Sequence, residues 1–217
     1  MKHILLAVGI GLLFVGAGCT ANDNSNINSV GNSNTNNTAV TNTNLNQPVA
    51  KPTTKLKLTT KPMALSYPGI LTDSEVANKQ IRLKTTKGDI VFDLLPKVGP
   101  RAASNFVYLA KNNFYNGLTF HRVVPGFVIQ GGDPQGTGLG GPGYKFADDP
   151  VDLPYKTGIV AMANSGPNTN GSQFFIMLAD NPLPPSYSIF GRVTSGQDVV
   201  AKIQVGDIMT TVTVENK

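Results

Sequence analysis

From Thr20 to Asn46 the chain carries 11 Asn, 5 Thr and 3 Ser among 27 residues, with hardly an apolar group from which a core is built. Such a tract buries too little apolar surface to offset the entropy of ordering it, so it is expected to stay disordered. Residues 47–62 continue it with Pro48, Pro52 and Pro62 set among Lys51, Lys55, Lys57 and Lys61, a stiffer and charged extension. A coil of this combined length spans roughly 40 Å between its ends. Whatever folds must therefore fold from Ser66 onward, a length sufficient for one domain with a proper core.

The residues ahead of the tract have a different character. Lys2 and His3 precede an apolar run from Ile4 to Val15, and the small residues Gly16, Ala17 and Gly18 then lead to Cys19. That is the pattern of an export signal ending at a lipoprotein cleavage site. The run is shorter than the roughly 20 apolar residues a membrane-spanning helix needs. Cys19 is the only cysteine, so no disulfide forms within this chain. It reads as an acylation site; the alternative is an ordinary secretory signal with an incidental thiol. The expected division is a signal peptide over 1–18, an acylated Cys19 and tether over 19–65, and a folded domain over 66–217. The corresponding location is the cell envelope, on the extracytoplasmic side of a membrane that holds the lipid anchor.

The formal charge of +5 invites a nucleic-acid reading until the charges are placed. Five lysines lie in the leader and tether, and from Ser66 onward 13 basic residues face 12 acidic ones. A nearly neutral domain without a basic stripe or interleaved aromatics is not a nucleic-acid binder.

Within the domain, IRLKTT and DIVFDLL alternate around Lys87-Gly88-Asp89, which predicts a hairpin over Gln80 to Leu95. Gly99-Pro100 opens a helix, with proline at the first position where its missing N–H costs nothing; Ala102, Ala103, Phe106, Leu109 and Ala110 recur at helical spacing, and Asn112-Asn113 closes it. Many short strands punctuated by glycine and proline follow, then a second amphipathic helix near Gln197 to Gln204 and a last strand over Met209 to Val214. Short strands with only two helices argue for a mainly β, closed barrel rather than a βαβ sheet.

Several chemistries are excluded. Gly136, Gly138 and Gly141 fit the dinucleotide spacing G-x-G-x-x-G, but Pro142-Gly143 follows where a helix would have to start, so the glycines are expected to let a loop pack close to a groove. After removal of the signal, His121 is the sole histidine and no G-x-S-x-G occurs, which rules out a serine-hydrolase triad. One histidine and one acylated cysteine make no zinc ligand set, and neither metal nor cofactor is expected.

What remains is Phe120 to Asp133, FHRVVPGFVIQGGD, and Gly158 to Ile176, GIVAMANSGPNTNGSQFFI. Together they read as one groove around a single arginine, expected to be buried, with apolar and amide neighbours and no nucleophile. Such a site suits a reaction that breaks no covalent bond, of which rotation about the peptide bond before proline is one. Val128 and Gln130 are two apart and share a strand face, as do Gln173 and Phe175.

These two stretches closely resemble the signature regions of the cyclophilin family of peptidyl-prolyl cis-trans isomerases, and the resemblance runs from about Gln80 to the C-terminus. It implies an eight-stranded antiparallel β-barrel capped by two α-helices. It also implies that Arg122 is the catalytic arginine, acting with Phe127 and Gln130. Val128, Phe175 and Leu183 join Phe127 in the proline pocket, while Gln130 and Gln173 orient the arginine and hydrogen-bond substrate. Ala163 and Asn164 match positions that grip an extended peptide by main-chain hydrogen bonds, and Tyr187 stands where many relatives carry histidine. No tryptophan occurs anywhere and Pro182 stands near the place of the indole that lines the groove in many relatives, so weakened binding of cyclosporin-type cyclic peptides is expected. The expected partners are proline-containing peptides and unfolded exported proteins, met by a monomer. The rival reading is a non-catalytic module that binds proline-containing segments or holds unfolded chains, and only Arg122 separates the two.

Overall fold

The computed structural model describes residues 65–217; the expected signal peptide, the acylated Cys19 and nearly all of the tether lie outside the described residues. After a short helix α1 (Asp73–Val76), β1 (Lys79–Thr85) and β2 (Gly88–Leu94) form the expected hairpin. Its alternation puts Ile81, Leu83, Ile90 and Phe92 fully inside. Helix α2 (Pro100–Lys111) starts at proline and ends at Asn112, with Asn113 in the left-handed region at φ 57°. Its first turn is capped from a distance in sequence: the amides of Arg101 and Ala102 donate to the buried Asp149 carboxylate at 3.1 and 2.9 Å.

The remaining strands are β3 (Phe120–Val124), β4 (Val128–Gly131), β5 (Ile159–Met162), β6 (Phe174–Met177), β7 (Ile189–Ser195) and β8 (Met209–Asn216), with α3 (Gln197–Val200) before the last. All eight belong to one antiparallel sheet in the order β3-β4-β6-β5-β7-β2-β1-β8.

Two expectations need correction. The barrel is open rather than closed, because β3 and β8 are the two edges of the sheet and do not pair with each other; the single bridge Thr119–Ile208 joins the residues just ahead of each. The α2–β3 loop takes the position that would complete the ladder: Asn116 Oδ1 accepts from the Val212 amide at 2.8 Å, and Gly117 N–H donates to Met209 O at 2.7 Å. The helices among the described residues number three instead of two, since α1 was not foreseen. The one expected over Gln197 to Gln204 stops at Val200, a single turn.

Short all-apolar strands such as β5 and β6 are buried on both faces. Phe174, Ile176, Val160, Met162 and Ile129 point into an inner core that also holds Phe92, Phe106, Tyr115, Phe120 and Phe190. Their alternating neighbours Phe175, Met177, Ile159, Ala161 and Val128 form a second, outer cluster. Phe127, Leu183 and Tyr187 pack onto that outer cluster, so the groove lies on the outside of the sheet and the interior is filled.

Candidate active site

β3 and β4 turn through Pro125-Gly126, and the register slips between Phe120 and Arg122, leaving Arg122 opposite Gln130. Such a bulge re-aims the side chain beside it. Arg122 Nη1 donates to Gln130 Oε1 at 3.1 Å, Gln130 Nε2 donates to Gln173 Oε1 at 2.9 Å, and Gln173 Nε2 donates to the carbonyls of Gly138 and Gly140, both at 2.9 Å. Arg122 is exposed, against the expectation of burial. It stands at the mouth of the groove on an edge strand, with its Cζ 6.0 Å from the Phe127 ring centre. The relay fixes a guanidinium that solvent would otherwise leave mobile, and a solvent-exposed cation near the half-buried Phe127 ring adds about 0.5–1 kcal/mol.

Nine of the ten groove residues singled out above line one pocket of about 250 Å³. Gln173 is the exception, and lies behind Gln130 on an adjoining pocket of about 380 Å³ that shares Gln130, Ala163 and Asn164 with the first. Val128 and Phe175 are buried at 2% and 5% exposure and form the floor, while Phe175 meets Tyr187 edge-on at 5.6 Å. The Ala163 amide donates to Gln173 O at 2.9 Å, so of its two main-chain groups the N–H is already engaged. The Asn164 side chain ties its loop to the β6–β7 loop, donating from Nδ2 to Ser186 O at 2.8 Å. Pro182 is exposed and is not part of the pocket wall.

Two supporting residues escaped the sequence reading. Tyr155 accepts from the Tyr187 amide at 3.0 Å and donates to the Tyr187 carbonyl at 2.9 Å, pinning that stretch from behind. Asp133, 1% exposed, accepts backbone N–H groups of Gln135, Thr137, Gly138 and Gly140 at 2.8, 2.9, 2.6 and 3.2 Å. It thereby shapes the glycine loop that receives Gln173, and a Cβ at Gly140 would fall 1.9 Å from its Oδ1, so glycine is required there. The aspartate heading a glycine-rich loop was the available signal. Burial works to raise the Asp133 carboxyl, yet the four amides outweigh it and hold it below the ordinary range. His121 differs: both its ring nitrogens are buried without a hydrogen-bond partner, and burial lowers its imidazole below the usual value. A depressed carboxyl contributes stability that is present above its unfolded value, near 3.9, and lost as pH falls through the folded one. Replacing Asp133 with Asn is therefore expected to cost about 1–3 kcal/mol at pH 7 and to flatten the acid limb of the stability curve. Chemical denaturation at pH 7 and pH 3 checks this; an equal loss at both pH values would remove Asp133 from the acid transition.

The family described as cyclophilin type peptidyl-prolyl cis-trans isomerase/CLD matches residues 80–216. A peptidyl-prolyl cis-trans isomerase of Helicobacter pylori is 49% identical over 135 residues, which cover 60% of this chain and 83% of that protein. Peptidyl-prolyl cis-trans isomerase B of Bacillus subtilis is 46% identical over 129 residues, 58% of this chain and 90% of its own. A crystal structure of a Cryptosporidium parvum cyclophilin type isomerase superposes with a TM-score of 0.60 at 34% identity, over 64% of this chain and 98% of that one. The same protein in the presence of the dipeptide Ala-Pro gives 0.59. With this match over residues 80–216 and the open eight-stranded sheet it shares with these relatives, the chain belongs to the cyclophilin-type peptidyl-prolyl cis-trans isomerases.

Proposed function

We propose that this isomerase turns X–Pro bonds in exported or envelope proteins, from a position fixed by a lipid on Cys19. The observation that carries the catalytic part is the Arg122 guanidinium, tied by one N–H to Gln130 at 3.1 Å while it fronts the pocket formed with Phe127, Val128 and Phe175. Rotation about the imide faces a barrier of about 18–20 kcal/mol because resonance is lost, and the twisted proline nitrogen regains a lone pair. A fixed donor aimed at that nitrogen binds the twisted state better than either planar form, and each 1.36 kcal/mol of that preference is tenfold in rate. Arg122 supplies this donor. The rings hold the proline, Gln130 steadies the arginine, and the Ala163 carbonyl and Asn164 backbone hold the extended chain on either side.

The envelope part rests on the sequence alone: the leader ending in Cys19 and the long polar tract that follows it. A tether of that length lets the domain reach emerging chains beside a membrane surface. No cofactor is required, and the reading treats the enzyme as a monomer. Acceleration of X–Pro exchange by the full chain, followed by NMR on short peptides, tests the catalytic part, and a rate equal to background ends it. For the anchor, mass spectrometry of the mature protein is expected to find an acylated Cys19 at the N-terminus. An unmodified terminus beyond that residue removes the membrane from the proposal.

A further inference from the structure

The family match begins at residue 80, yet the chain ahead of it is built into the domain. Leu65, Tyr67 and Leu71 pack on the inner core, and the Leu71 amide donates to Ser104 Oγ of α2 at 2.9 Å. The Tyr67 ring lies flat on Phe146, with centres 5.0 Å apart and planes 3° from parallel, and sits 6.2 Å from the ring of Tyr144. Tyr144 then donates its O–H to Asn105 Oδ1 at 2.7 Å, and the fully buried Asn105 donates from Nδ2 to Gly171 O at 2.8 Å. Both Tyr144 and Gly171 line the pocket of about 380 Å³ that adjoins the proline site. Burial pushes the Tyr144 phenol up, which keeps its proton in place for Asn105.

We propose that residues 65–71 form a strap whose Tyr67 is a positioning residue: its ring braces Tyr144 and Phe146 and so sets the wall of the pocket that receives substrate residues flanking the proline. The proposal rests on the reading of the groove as a peptide site. It concerns the neighbouring pocket, and leaves the pocket under Arg122 untouched. Stacking does the bracing, since the Tyr67 hydroxyl is buried and meets no hydrogen-bond partner. The strap directly follows the expected tether in sequence and lies ahead of the matched family region.

The test compares two peptides on the full chain, a minimal blocked X–Pro peptide and one extended by three residues on each side. Tyr67→Ala is expected to raise KM for the extended peptide three- to tenfold with kcat unchanged, and to leave kcat/KM for the minimal peptide within twofold. Tyr67→Phe, which keeps the stacking and removes the orphan hydroxyl, is expected to match the wild type on both. Should Tyr67→Ala fail to fold, Tyr67→Leu keeps the apolar bulk, removes the flat ring that stacks on Phe146, and is expected to give the same split. Equal slowing of both peptides, or an unchanged KM for the extended one, overturns the strap's role. Loss of turnover in Arg122→Ala alongside either result keeps the groove assignment intact, so the two failures are distinguishable.

Discussion

Replacing Arg122 with Ala lowers kcat/KM for X–Pro isomerisation by about 10²–10³, the scale set by loss of one preorganised donor to a transition state. The melting temperature stays within about 2 °C, because an exposed side chain away from the core changes stability by no more than about 0.5 kcal/mol. Peptide affinity falls little, since the Phe127, Val128 and Phe175 surfaces that hold the ring are unchanged. Arg122→Lys restores little of the rate. A single ammonium lacks the rigid fork that bonds Gln130 through one N–H and keeps its other donors for a second partner. NMR exchange rates and peptide titration on the same samples check all three statements. Turnover left intact in Arg122→Ala would move the catalytic donor elsewhere, and a matching loss of affinity would make the arginine a binding group.

The elements that sequence reasoning recovered are those whose cause is local. The β1–β2 hairpin follows from a two-residue alternation around a glycine turn, and α2 from proline at its start and asparagine at its end. The groove residues were legible because they lie in two dense stretches that two paired strands, β4 and β6, bring together: Gln130 faces Phe175 across the ladder. What escaped depends on pairs distant in sequence. Asp149 caps α2 from 47 residues away, and Asn116 covers the free edge of β8 from 96 residues away, so neither the cap nor the open barrel has a signature within a short window. Arg122 was expected inside because its neighbours in the motif are apolar, yet the bulge at His121 and the edge position of β3 put it at the mouth. The strap had no pattern at all: Tyr67 matters through a ring contact with Phe146, and nothing in the residues around either position marks that pairing.

Phe106→Ala is expected to show the opposite profile from Arg122→Ala. Phe106 is fully buried on α2 and meets Phe92, Tyr115, Phe174 and Phe190 at ring distances of 5.5, 4.6, 5.3 and 5.1 Å. Truncation removes its apolar area and leaves a cavity among four buried rings, three of them held on strands β2, β6 and β7, so collapse is incomplete and the cost is about 3–5 kcal/mol. For a domain of this length that corresponds to a fall of roughly 10 °C in melting temperature. Turnover measured well below the new midpoint is expected within about threefold of wild type, because the groove stands on the outer cluster of Val128, Phe175 and Met177 and not on the inner one. The two clusters share strands β4, β5 and β6 but occupy opposite faces, which is what lets a loss on one side remain a stability effect. A drop in kcat comparable to that of Arg122→Ala, under conditions where Phe106→Ala is folded, would mean that the sheet transmits core strain to the guanidinium. Gln130 would then be the point of entry, since it alone carries Arg122 on one side and pairs with Phe175 beside the buried Phe174 on the other.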